Sequence, residues 1–110
     1  MPRRIGEEAM EQTGRIAFME NCLDEGTAAV RGLEAALDRY QEARRAIRAV
    51  SAYYGSEEWR RDFEDDEAGK LPADLRRGIL TEDAAYNLLT EDRELLVRML
   101  ETAAAALRDK

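Results

Sequence analysis

The sequence predicts an all-α fold: a long N-terminal heptad helix packed antiparallel against C-terminal helices, with a short helical cap between them, as in a helical hairpin or small bundle. Three observations carry this expectation. No proline occurs between Ile5 and Tyr54, and apolar residues recur there at alternating spacings of four and three. Pro2 and Pro72 are the chain's two prolines. Ser56, Thr81 and Thr90 each stand directly ahead of two acidic residues, the pattern of a capped helix start whose first turn complements the helix dipole.

In the first element the four-three positions read Ile5, Ala9, Gln12, Ile16, Met19, Leu23, Gly26, Val30, Leu33, Leu37, Tyr40, Arg44, Ile47 and Ser51. Ala29, Ala36, Ala43 and Ala46 widen this seam, while Arg31, Glu34, Asp38 and Arg45 fall outside it. Gly6, Gly14, Gly26 and Gly32 each cost a helix up to ~1 kcal/mol against alanine, so a break near Asp24–Thr27 is the alternative to one continuous helix. The register crosses Gly26 unshifted, which favours continuity, with the helix ending near Tyr54–Gly55.

Ser56 then caps a short helix, Glu57–Glu67, with Trp59 and Phe63 four apart on its inner face. Ala68-Gly69-Lys70-Leu71-Pro72 stops it, and Pro72 begins a turn, Ala73–Arg77, closed by Gly78. Thr81 starts the next helix, whose apolar side is Ala84, Ala85, Leu88 and Leu89. Thr90 either bends that helix or separates it from a last segment, Glu91–Arg108, with Leu95, Leu96, Met99, Leu100, Ala103, Ala104 and Leu107 turned inward.

A chain of 110 residues supports one core, so a single domain, 1–110, is expected, organised as 1–54, 55–80 and 81–110. Apolar residues at 45% beside charged residues at 37% exclude general disorder. No run approaches the ~20 apolar residues of a membrane span, and MPRRIGEEAM lacks the apolar core of a secretion signal, so the cytoplasm is the expected compartment. With no histidine, the usual zinc and haem ligand sets and the Ser–His–Asp and Cys–His nucleophile systems are ruled out, and the single Cys22 has no internal disulfide partner. No enzyme and no cofactor are expected.

The net charge of -7 repels phosphate backbones, so the expected partner is a protein or another copy of the chain, not nucleic acid or membrane. The excess is densest in residues 55–70, where Glu57, Glu58, Asp62, Glu64, Asp65, Asp66 and Glu67 face only Arg60, Arg61 and Lys70. The run lacks the spacing of a calcium loop, since Ala68 precedes Gly69 and Lys70-Leu71-Pro72 supplies no ligand; a solvated acidic face is the ordinary reading, and a surface for a basic partner the functional one. Arg76, Arg77 and Lys70 are placed to pair with it.

Length points to an interface. At ~1.5 Å per residue the first helix spans roughly 70 Å and Glu82–Arg108 roughly 40 Å. Folding back from the Tyr54 end, the second leaves the seam from Ile5 to about Leu23 uncovered, unless the middle segment reaches it, the helix breaks at Gly26, or another chain binds. Candidate partner-binding residues are therefore Ile5, Ile16, Met19 and Leu23, joined by the aromatic cluster Tyr53, Tyr54 and Trp59, whose ordinary reading is that Trp59 and one tyrosine seal the core at the turn. A remote alternative is a magnesium-dependent nucleotide hydrolase, because Glu7-Glu8-Ala9-Met10-Glu11 has the E-E-x-x-E spacing that puts carboxylates on one helix face; the second acidic pair such enzymes need is missing, Glu34/Asp38 being one residue too wide.

The stretch YYGSEEW, then DEAGKLP-x-DL-x-RG-x-L-[ST]-ED, then YNLLT-x-x-RELL, from Tyr53 to Leu100, resembles a family of short bacterial proteins, domain of unknown function 4298. The residues carrying the pattern are Tyr54, Gly55, Trp59, Asp66, Gly69, Leu71, Pro72, Leu75, Gly78, Tyr86, Asn87 and Leu88. The resemblance implies a bacterial or bacteriophage origin and no catalytic or binding residue. Glycine and proline in the pattern set chain reversals and leucine and tryptophan fill a core, so it reads as a folding instruction.

Overall fold

The computed structural model describes residues 5–109, with side chains from Ala9 onward. Three α-helices make up most of that length: α1, Ile5–Tyr53; α2, Glu57–Glu67; and α3, Glu82–Arg108; a 3-10 turn, Gly78–Leu80, precedes α3. No strand occurs among the described residues.

Helix α1 runs unbroken through Gly14, Gly26 and Gly32. Its half-buried residues Leu37, Tyr40, Arg44 and Ile47 keep the seam's register. At the end the buried stripe turns to Val50 and Tyr53, and Ser51, the last expected seam position, is exposed.

Contacts divide the chain into two compact units, the first ending at Glu42 and the second beginning at Ala43. Inside the second unit the direction of α3 follows from two bonds. Arg44 meets Asp92 at 3.2 Å, and the Tyr54 hydroxyl lies 3.5 Å from the Glu82 carbonyl oxygen. Ten residues forward along the first segment match ten residues back along α3, so this end of α1 and α3 run antiparallel.

The reversal after α1 uses Gly55 at φ +78, third in a turn closed by Ser56 N–H on the Tyr53 carbonyl at 3.0 Å. The Ser56 hydroxyl then accepts from Trp59 N–H at 3.1 Å and starts α2. Helix α2 ends in a Schellman motif: Gly69, at φ +72, donates to Asp66, and Lys70 donates to the Asp65 carbonyl at 2.9 Å. The Lys70 ammonium also lies 3.9 Å from the Asp65 carboxylate.

Between the helices, Leu75 N–H bonds the Pro72 carbonyl at 3.2 Å, giving one turn. Gly78 does not close a longer one, as the sequence suggested; it opens the 3-10 turn, whose backbone carbonyl accepts from both the N–H and the hydroxyl of Thr81. The same hydroxyl accepts from Ala84 N–H at 3.3 Å and caps α3. Leu80 and Ala85, at 5% and 1% exposure, are the buried core residues among those described. They stand just before the cap and four residues into the helix, the two positions of a hydrophobic staple.

Helix α3 passes Thr90 without a break. Its expected inward face is exposed from Leu95 to Leu107, and Ala84 and Leu88 are exposed as well. Within its unit, α3 is engaged by the 3-10 turn, Tyr54 and Arg44, all at its first three turns.

Candidate interaction surface

The aromatic cluster forms because Ser56 fixes where α2 begins. Trp59 then falls one turn in, stacked on Phe63 with ring centres 5.3 Å apart and met edge-on by Tyr54 at 5.4 Å. Its indole N–H donates to the Ile79 carbonyl at 3.0 Å and ties α2 to the 3-10 turn. Tyr53 donates its hydroxyl to the Asp62 carboxylate. Partial burial, and then the bond to Asp62 and the charges of Asp62 and Glu58, push the Tyr53 pKa up from 10.0 to about 12. Tyr53, Tyr54 and Trp59 are thus half-buried and bonded within their own unit.

The acidic run is divided in the same way. Asp62 receives Tyr53, Asp65 faces Lys70, Glu57 lies 3.8 Å from Arg61, and Asp66 pairs with Arg77 at 3.1 Å with both side chains about one-third exposed. Glu58, Glu64 and Glu67 are exposed. No group of three Asp, Glu, Cys or His side chains is placed to hold a metal ion among the described residues.

In the first unit the seam lies open from Ile16 to Leu33. Ile16, Met19, Leu23, Val30 and Leu33 are 53–69% exposed on one helix face. Leu23, Gly26, Thr27 and Val30 line a shallow depression whose floor is the missing side chain of Gly26. Cys22 beside it is an exposed free thiol. The side chains of Ile5, Glu7 and Glu8, named above for the seam and the hydrolase pattern, lie outside the described residues.

Two features went unread in the sequence. Arg44 looks like a flaw in an apolar seam, yet it is the seam's polar link to Asp92, a residue read only as a first-turn acid. Leu80 carried no periodic signal; its place immediately before the Thr81 cap is the cue that would have found it.

No helix among the described residues is long and apolar enough to cross a membrane. Comparison with curated proteins and with solved structures returns no match. The pattern of the family described as Domain of unknown function (DUF4298) matches residues 16–102, taking in most of α1, all of α2 and most of α3. The chain is therefore a member of the DUF4298 family.

Proposed function

We propose that this chain is a non-catalytic, cytoplasmic protein-interaction module of bacterial or phage origin, working through the apolar seam of α1. The observation that carries the reading is the exposure, each above half, of Ile16, Met19, Leu23, Val30 and Leu33 on one helix face. Fully burying one such side chain is worth roughly 1.5–3 kcal/mol, so a complementary helix gains several times that along the seam. The exposed thiol of Cys22 suits a reducing compartment.

The alternative, an acidic regulator that presents residues 57–67 to a basic protein, draws less support. Four of its seven carboxylates already engage cations or a hydroxyl of the same chain.

The test is Leu23→Glu with Val30→Glu. Both side chains are exposed, so the helical circular dichroism of the monomer is expected to stay unchanged while association, with itself or with a host protein, is lost. Association that survives both charges would overturn the seam reading.

A further inference from the structure

We infer that residues 9–36 of α1 are helical when their seam is occupied and unwind in the free chain, so that binding and helix formation are one event. The inference rests on the seam being an interface and adds what occupation does to the helix.

Packing gives the first reason. Every residue from Ala9 to Ala36 is exposed, and Leu37 is the first half-buried position of the helix. The second unit differs: α2, the 3-10 turn and the start of α3 are held by the Trp59 indole on the Ile79 carbonyl, the Asp66–Arg77 pair and the buried Leu80 and Ala85. Most helical stability in proteins comes from burying one face, and residues 9–36 bury none.

Intrinsic propensity does not make up the difference. Gly14, Gly26 and Gly32 each lower the weight of the helix about fivefold against alanine. They cut the stretch into runs of eleven residues, 15–25, and five, 27–31. Each run is shorter than the ~12–15 residues at which even alanine-rich isolated helices are marginal. Thr13, Ile16, Thr27 and Val30 add β-branched side chains, which a helix restricts. Glu20 and Asp24 stand four apart with like charge, and no residue from Ile16 to Ala36 makes an ion pair among the described residues. What sustains the helix below Leu37 is therefore the seam itself, Ile16, Met19, Leu23, Val30 and Leu33, once a surface takes it out of water. Ordering the stretch draws on that burial, so the complex is specific yet weaker than its contact area suggests.

The experiment is hydrogen exchange by mass spectrometry on the full chain, with light scattering of the same samples. In samples that scatter as the 12.5 kDa monomer, amides of residues 14–33 are expected to exchange within roughly tenfold of the unstructured rate, while those of α2 and the 3-10 turn stay protected roughly a hundredfold or more. A monomer that protects 14–33 as well as α2 would overturn the inference. In samples where the chain associates, the same amides are expected to be protected, and Leu23→Glu with Val30→Glu to remove protection and association together. Glutamate forms helix about as well as leucine and better than valine, so the loss would come from lost cover. Association lost with protection intact would sink the inference and leave the seam reading standing; association that survives both charges would sink the seam reading and the inference with it. Gly14→Ala with Gly32→Ala is a check that needs no partner: it is expected to raise protection across 9–36 in the monomer by roughly tenfold, and unchanged protection would count against a helix limited by its own propensity.

Discussion

Arg44, on the seam of α1, reaches Asp92 of α3 at 3.2 Å, with the arginine side chain 36% exposed and the carboxylate 15% exposed. The pair is the polar point at which the antiparallel helices of the second unit are fixed in register. Its more buried member is the carboxylate, so removing the cation strands a charge that water reaches poorly. Arg44→Leu is expected to cost about 1–2 kcal/mol, discounted for the exposure of the arginine, and Arg44→Leu with Asp92→Leu much less than twice that. Thermal unfolding of both single variants and the double variant measures the coupling.

Tyr53 makes stability pH-dependent on the alkaline side. Its pKa of about 12 in the fold lies above the ordinary 10.0, so the fold favours the neutral phenol. The contribution is present in full below pH ~10, is lost as pH rises through that interval, and is gone above ~12. Denaturant unfolding of wild type is expected to weaken across this window, with Tyr53→Phe showing a shallower slope. Ultraviolet titration of the phenolate provides the direct reading.

Trp59 holds three partners at once: Phe63, Tyr54 and the Ile79 carbonyl. Among the described residues only Leu80 and Ala85 are more than nine-tenths buried, so this half-buried ring carries much of the second unit's packing. Trp59→Ala is expected to cost about 3 kcal/mol and to unfold the unit from Ala43 onward at ordinary temperature. Trp59→Phe keeps the stack and loses one hydrogen bond, about 1 kcal/mol. Hydrogen exchange in α2 and the 3-10 turn separates the two.

Glycines in two settings predict opposite signs. Gly69 sits at φ +72 with open space around it, so Gly69→Ala meets no clash and is expected to destabilise by ~1 kcal/mol from the backbone alone. Gly14 and Gly32 lie inside α1 with nothing within 4 Å of an added methyl. Their alanine variants are expected to stabilise the helix by up to ~1 kcal/mol each, seen as a higher melting temperature by circular dichroism.

Caps and turns were legible because their signals are local. Ser56 and Thr81 name their helices by side-chain chemistry, and the bounds Glu57–Glu67 for α2 follow from Ser56 and Gly69 alone. The unbroken α1 was legible because a seam that keeps its phase across Gly26 is itself the signature of one helix. The exposed face from Leu95 to Leu107 was not: periodicity tells which side of a helix is apolar and is silent on whether the chain has anything to set against it. The passage through Thr90 was open for a related reason. A threonine followed by Glu91 and Asp92 offers a cap, but Asp92 is occupied by Arg44 and the helix backbone continues. Pairing of Arg77 and Lys70 with the acidic run followed from charge and proximity, though not which carboxylate each meets, whereas Arg44 with Asp92 required the fold to bring together residues 48 apart in sequence.

Because α1 carries its seam across glycine 26 in one uninterrupted phase, its length is quantised. Removing one residue between Ile16 and Leu33 would turn Ile16 and Met19 by ~100° away from Val30 and Leu33, scattering the stripe around the cylinder, while removing seven would shorten the rod by ~10 Å and leave the stripe whole. Length changes that this helix tolerates therefore come in whole heptads.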